Sequence, residues 1–387
     1  MPKISPKSNH KSHSKRHPKR RPSLPAAYYS RAKNWVKSGF WRRVAAVGVA
    51  LVVLLIGSMY GIARWYMASQ ADQPIVFGAT FIPDYARHFD LDARETMTAM
   101  IDDLGLKRLR LVSYWSNGER EPGEYDFSEL DWQFRLAEDR GVQVSLAIGL
   151  RQPRWPECHM PEWAKQLPKA EWSARLKDYM SAVVLRYKDS PALESYQLEN
   201  EYFLKVFGIC PDHSRDRLID EFNLVKSLDP KTTLVVSMSN NAIGTPIGEP
   251  TPDEWAISVY KRVWDKDVTK RYLEYPIPAW YYGFRAGFTQ LIRGHNSFIH
   301  ELQAESWTPG DLGSKNTPLD EQYKSLNPQR LHDRMEYGRA TGMKKIDLWG
   351  VEWWYYLKTK KNAPEVWEAG RQELRKTEAI NARIDQT

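Results

Sequence analysis

Cysteine is almost missing: the 387 residues include two, Cys158 and Cys210. Two thiols cannot build a disulfide-framework domain or a four-cysteine zinc site. Acidic residues are missing altogether from positions 1–43, which hold thirteen Lys or Arg. The formal net charge of +8 belongs to that segment, because positions 44–387 carry 43 basic against 48 acidic side chains, a balance of −5. A uniformly basic nucleic-acid-binding domain is thereby excluded, and no nucleic-acid partner is expected. There is no GxSxG elbow and no HExxH, and the string HELQAE at 300–305 lacks the second histidine of a zinc site, so neither metal nor cofactor is expected. The first β-branched run leads into GATFIPDYARHF, without the glycine-rich turn of a dinucleotide site.

What is present begins with a tail of Lys, Arg, Ser, His and Pro. It has too little apolar surface to offset its ordering entropy, which predicts a disordered basic segment over 1–43. His10, His13 and His17 lie in it, where surrounding cations disfavour a metal. From Val44 to Ala63 twenty residues carry no charge. As a helix at about 1.5 Å per residue they match the roughly 30 Å core of a bilayer. Trp41, Arg42 and Arg43 precede the run, and Trp65 and Tyr66 follow it, as interfacial anchors do. A cleaved leader has a short basic region and an apolar stretch of about 7–15 residues. An uncleaved helix over 44–66, in contact with lipid, is therefore expected, with cleavage after Ala71 as the alternative. The cations on the N-terminal side predict a cytoplasmic tail and a single-pass protein of the cell membrane whose remaining chain is extracellular.

Residues 72–387 read as one domain, since no Pro, Gly or Ser-rich linker divides them. Short β-branched runs at 75–81, 106–115, 142–150, 193–201, 232–240, 256–264, 297–305 and 344–354 alternate with amphipathic stretches. Eight βα units in this length predict an α/β fold, a closed (β/α)8 TIM barrel. The segment NAIGTPIGEPTPDEW after the fifth run has three prolines, so its helix should be short or missing. Final helices are expected near 328–341 and 364–378.

Ligands in such barrels sit at the C-terminal ends of the strands. Those positions hold Arg110 and Trp115, then Arg151, Trp155 and Glu157, then Asn200 and Glu201, and Tyr260 after the sixth run. Glu301, Glu305 and Trp307 close the seventh, and Trp349, Glu352, Trp353 and Trp354 the eighth. Carboxylates on opposite walls suit glycoside hydrolysis, in which one donates a proton to the leaving oxygen and the other supports a cationic anomeric carbon. Indole faces suit the C–H face of a sugar, and Arg, Asn and Glu its hydroxyls. Oligo- or polysaccharide is the expected partner.

The string YQLENEY (196–202) resembles the fourth-strand motif of glycoside hydrolase clan A, the β-galactosidase-like and cellulase-like retaining enzymes. The resemblance implies that Glu201 is the acid/base and that Asn200 bonds a sugar 2-hydroxyl. FIHELQAESW (298–307) is similar to the clan's seventh-strand segment, which places the nucleophile at Glu301. Arg110, Tyr260 and Trp349 extend the similarity, with Tyr260 implied as a partner of the nucleophile. Glu305 shares the strand parity of Glu301 and is the alternative nucleophile.

Strict alternation would send Asn200 and Glu201 to opposite faces, so a bulge or the end of the strand must re-aim one of them. A retaining mechanism predicts carboxyl groups roughly 5–5.5 Å apart. It also predicts a proton held on Glu201 by the charge of Glu301, and an ionised Glu301 beside Arg110 and Tyr260. Cys158 and Cys210 fall in the loops after the third and fourth runs, neighbours in a barrel mouth. An extracellular disulfide between them is expected over two free thiols. A binding protein without turnover and a transglycosylase are the other readings of the same barrel.

Overall fold

The computed structural model describes residues 39–205, 208, 210–240, 248–266, 268–309, 313–384 and 386. The expected disordered tail, with His10, His13 and His17, thus lies outside the described residues except for 39–43, which are helical. The chain divides into two units, residues 1–58 and 59–387. Of the first, residues 39–58 are described. They form the start of a 31-residue helix, α1 (Gly39–Ser69), with apolar side chains exposed along the run.

The second unit opens with the last turns of α1, which include the end of the expected helix over 44–66. Ala63 and Tyr66 are buried against the domain, and the Tyr66 hydroxyl reaches the Ser297 carbonyl at 3.5 Å. Eight parallel strands then close into a barrel: β1 (Val76–Thr80), β2 (Arg108–Val112), β3 (Gln143–Ile148), β4 (Leu193–Leu198), β5 (Thr233–Met238), β6 (Glu254–Val259), β7 (Asn296–Gln303) and β8 (Lys345–Trp349). Helices α2 (Ala93–Asp102), α3 (Ser128–Arg140), α4 (Lys169–Tyr187), α5 (Arg215–Leu228), α6 (Ala279–Arg293), α7 (Pro328–Arg339), α8 (Val351–Lys360) and α9 (Glu365–Ile384) complete it. Between β5 and β6 the described residues contain no helix.

Local chemistry sets the boundaries. Asp92 and Asn327 accept the Glu95 and Arg330 backbone N–H at 2.7 and 2.9 Å and so start α2 and α7. Apolar residues of one strand parity, such as Leu109, Leu111, Val144 and Leu146, are fully buried between sheet and helices. The other parity fills the barrel with polar groups. Near its base Arg108 pairs with Asp347 and with Glu194. Lys345 bridges Glu194 and Glu254 in the same layer.

Two expected runs were too long. The run 344–354 leaves the strand after Trp349 and becomes α8, while 256–264 splits into β6 and one arm of a hairpin, Arg262–Asp265 with Arg271–Glu274. In both, aromatic residues that suit a strand also suit the next element, and propensity alone does not mark the turn. The last helix runs to Ile384, beyond the expected 378.

Candidate active site

Four strands meet at the mouth around Arg110, which rises from β2. Its guanidinium bonds Glu301 at 2.8 Å, Gln197 at 2.8 Å and Thr80 at 2.9 Å, and also touches the His300 ring. Adjacent residues of a regular strand face opposite ways, yet His300 and Glu301 both reach Arg110 inside the barrel. The cause is a β-bulge in β7. Ile257 and Ser258 of β6 pair with Ile299 and Glu301, and the step from Ile346 to Leu348 in β8 spans Ile299 to Leu302. His300 is the extra residue.

Glu301 also accepts the Tyr260 hydroxyl at 2.8 Å. Burial, and then the Glu301 charge, push that hydroxyl well above the ordinary phenol range, so Tyr260 stays a donor. Glu201 has a different setting. Burial first and the Glu301 charge second push its carboxyl up to about 8. The sequence-based expectation named the charge alone; desolvation is the larger cause. Ser258 donates its hydroxyl to Glu201 Oε1, and the Ser258 oxygen lies 3.0 Å from His300 Nε2. Arg110 can only donate, so His300 Nδ1 must accept and Nε2 must carry the hydrogen that reaches Ser258. Burial and the Arg110 charge hold that imidazole well below its usual pKa, and thus neutral. A directed chain of hydrogen bonds therefore runs from Arg110 through His300 and Ser258 to Glu201.

The parity conflict between Asn200 and Glu201 is resolved because β4 has already ended at Leu198. Glu199 and Glu201 adopt left-handed backbone angles, with φ of 52° and 44°. For non-glycine residues that geometry must be held by its surroundings. Glu199 accepts the Leu150 and Arg151 backbone N–H at 2.6 and 3.1 Å and two bonds from Arg217 at 3.0 and 3.1 Å. Gly149, φ 105°, leaves room for this: a Cβ there would lie 2.4 Å from the Glu199 carboxylate. The Glu201 backbone N–H donates to Ser237 at 2.8 Å. Asn200 bonds Gln197 and Glu157, each at 3.1 Å. Glu157 is a third buried carboxyl, pushed up to about 7 by burial and then by Glu301. Cys158, next to it, is joined to Cys210, tying the loop after β3 to the loop after β4.

The other expected site residues divide. Trp349 lies under Arg110 and Arg154, whose guanidinium carbons stand 5.5 and 4.4 Å from its ring. Trp307 is 41% exposed and meets the Tyr260 ring edge-on, while Trp155 is 73% exposed. Arg151 is fully buried and bonds the Leu204 carbonyl at 2.7 Å, and its nearest Glu157 oxygen is at 3.6 Å. Trp115 and Trp353 do not line the mouth. Trp115 packs on Trp163 and donates to Glu119, and Trp353 sits in α8 and donates to Gln322, both in the core. Trp354 likewise caps the Ala304 carbonyl. Each follows a strand end in sequence but belongs to a helix whose inner face packs on the sheet.

Glu352, buried and lifted to about 7, accepts the Ile82 backbone N–H at 2.8 Å and braces the first turn of α8 against the segment after β1. Glu305 is held by Arg154 at 3.2 Å and by the Tyr85 hydroxyl at 2.6 Å. Sequence reasoning missed His300, Ser258, Gln197, Arg154 and Tyr85. Ser258 shares its parity with Tyr260 two residues later, which was the available signal.

Against solved structures, a β-galactosidase from the Antarctic haloarchaeon Halorubrum lacusprofundi matches with TM-score 0.51 and 15% identity over 78% of this chain. Xylanase 10B from Thermotoga maritima matches with TM-score 0.51 and 16% identity over 83%. The chain has the barrel fold of clan A glycosidases. An exo-β-1,4-mannosidase from Opitutaceae bacterium strain TAV5, TM-score 0.51 and 13% identity over 79% of this chain, shares it. The chain spans 58% of the length of the β-galactosidase, 60% of the mannosidase and 98% of the xylanase. No protein-family model matches the sequence, and no curated protein matches it.

Proposed function

We propose that this chain is a retaining glycoside hydrolase of the extracellular face of the cell membrane, acting on a β-linked glycan. The observation that carries the reading is the contrast between two buried carboxyls at one mouth. Glu201 is lifted to about 8 and so holds a proton at neutral pH, while Glu301 accepts from Arg110 and Tyr260. Glu301 attacks the anomeric carbon, and Glu201 gives its proton to the leaving oxygen and then takes one from the incoming water. Oε1 of Glu201 is occupied by Ser258, which leaves Oε2 to carry the mobile proton. The charge that lifts Glu201 is that of Glu301, whereas Glu305 pairs with Arg154 and Tyr85, so Glu305 is the less suitable nucleophile. Asn200, Trp155, Trp307 and Trp349 are the residues offered to the sugar, and the buried Arg151 supports the loop behind them.

The domain proposal is a cytoplasmic tail over 1–43, a membrane helix over 44–66 and a barrel over 72–387. It is supported by the apolar helix Gly39–Ser69 and the cations before it. A 2-fluoro-glycoside trap and peptide mapping test the chemistry: label on Glu301 is expected, and label on Glu305 refutes the assignment. Release of reducing sugar from a panel of surface and cell-wall glycans, lost in Glu301→Ala, separates hydrolysis from binding without turnover. Analysis of the products identifies glycosyl transfer to a second sugar.

A further inference from the structure

Helix α6, AWYYGFRAGFTQLIR, is amphipathic in an unusual sense: it has three faces. One packs on the barrel through Tyr282, Arg285, Ala286 and Thr289, all buried. A second receives the last turns of α1. A Cβ at Gly287 would come within 2.8 Å of the Tyr66 Cβ and 3.1 Å of Ile62, and the Trp280 ring meets Tyr60 edge-on at 5.6 Å. Gly287 permits this close approach, while Gly283, four residues earlier, makes room for the Thr341 carbonyl.

The third face carries Trp280, Tyr281, Phe284, Phe288, Leu291 and Ile292. At 100° per residue these fall within an arc of about 120°. None is charged, none is buried, and Leu291 and Ile292 are 55% and 51% exposed. A contiguous apolar arc of this kind on a domain outside the bilayer needs a non-aqueous partner.

The position of the arc says which. The charge-free run ends at Ala63, and its neighbours Ile62 and Tyr66 are seated against Gly287 of α6. If the run fills a bilayer core of roughly 30 Å, its end lies at the outer boundary of that core, and α6 lies there with it. Exposed Arg64 and Trp65, 44% exposed, continue α1 at the same level, as residues of the headgroup zone do.

We infer that α6 is a second membrane contact: its Trp280–Ile292 face lies in the outer leaflet, and its partner is lipid. The inference rests on the anchored reading of α1. The test uses the full chain in phosphatidylcholine vesicles. Both native cysteines are in a disulfide, so an introduced one can be labelled with a polarity-sensitive fluorophore. Leu291→Cys and Ile292→Cys, both exposed, are compared with Val53→Cys in the apolar run and with Asp178→Cys on the exposed side of α4.

The expected result is blue-shifted emission quenched by brominated lipid, and protected from iodide, at 291, 292 and 53, with the reverse at 178. Iodide access at 291 and 292 with lipid quenching at 53 overturns the α6 contact and spares the anchor. Protection from both quenchers at 291 and 292 assigns the face to a second copy of the chain and also overturns it. Iodide access at 53 removes the anchor itself, and the inference falls with it.

Discussion

At the scale of single residues, the site turns on where protons sit. Glu201 must be protonated to act as an acid, so kcat/KM should fall as pH rises through about 8. Glu201→Gln should remove that alkaline limb and lower turnover of a substrate with a poor leaving group by about 10² to 10⁴. Glu157 also lies near Glu301, and its charge raises Glu201. Glu157→Gln should therefore keep the limb but move it to lower pH, and a profile without a limb would transfer the acid's role to Glu157. Ser258 acts through Glu201: its hydroxyl bond favours the carboxylate form. Ser258→Ala should shift the limb to higher pH, a change that simple loss of packing would not produce. pH–rate profiles of the three variants check all of this.

At the scale of elements, the loops after β3 and β4 work as one piece. Glu199 bonds the backbone of the first loop from the second, Arg217 of α5 clamps Glu199, and Cys158–Cys210 closes a separation of 52 residues. A closed loop of that length is worth about 4 kcal/mol in chain entropy, so the Cys158→Ser, Cys210→Ser pair should lower unfolding free energy by up to that amount in denaturant titrations. Gly149→Ala should cost about 1–3 kcal/mol through its left-handed backbone, and should also impair turnover by displacing Glu199.

The sequence made the strands and the carboxylates legible because alternation and strand ends are written in residue type. It did not make the bulge legible, since nothing in FIHELQ distinguishes a bulged histidine from an in-phase one. Trp115 and Trp353 misled for a related reason. An indole just past a strand end is equally suited to a sugar platform and to the first turn of a packed helix, and burial, which decides it, is a tertiary property.

At the scale of the whole molecule, buried carboxyls set how stability follows pH. Glu201, Glu157 and Glu352 keep protons up to about 8, 7 and 7 in the folded chain, whereas the unfolded chain releases them near an ordinary glutamate value of about 4.3. The folded state thus binds more protons between these limits. Their stabilising contribution is complete below the unfolded value and is lost as pH rises through 7 to 8. Denaturant midpoints should fall over that window, and Glu201→Gln should flatten the slope while gaining stability at the alkaline end. Near the barrel base a buried ion pair matters instead. Asp347→Ala would leave the buried Arg108 with Glu194 as its remaining carboxylate partner, and should cost up to about 3 kcal/mol at neutral pH, as measured by the same titrations.

The extra residue in β7 makes the seventh strand a matter of counting. Up to His300 one parity of the chain faces inward, and from Glu301 onward the other does. The mouth therefore depends on an odd number where its neighbours use an even one. Because His300 is the extra residue, deleting it would return β7 to regular pairing, with Glu301 still opposite Ser258 and Gln303 still placed to accept the Lys261 and Arg262 backbone N–H groups at 3.0 Å, but would remove the imidazole that joins Arg110 to Ser258. Loss of a residue further from the bulge would instead put the side chains beyond it on the wrong face of the sheet.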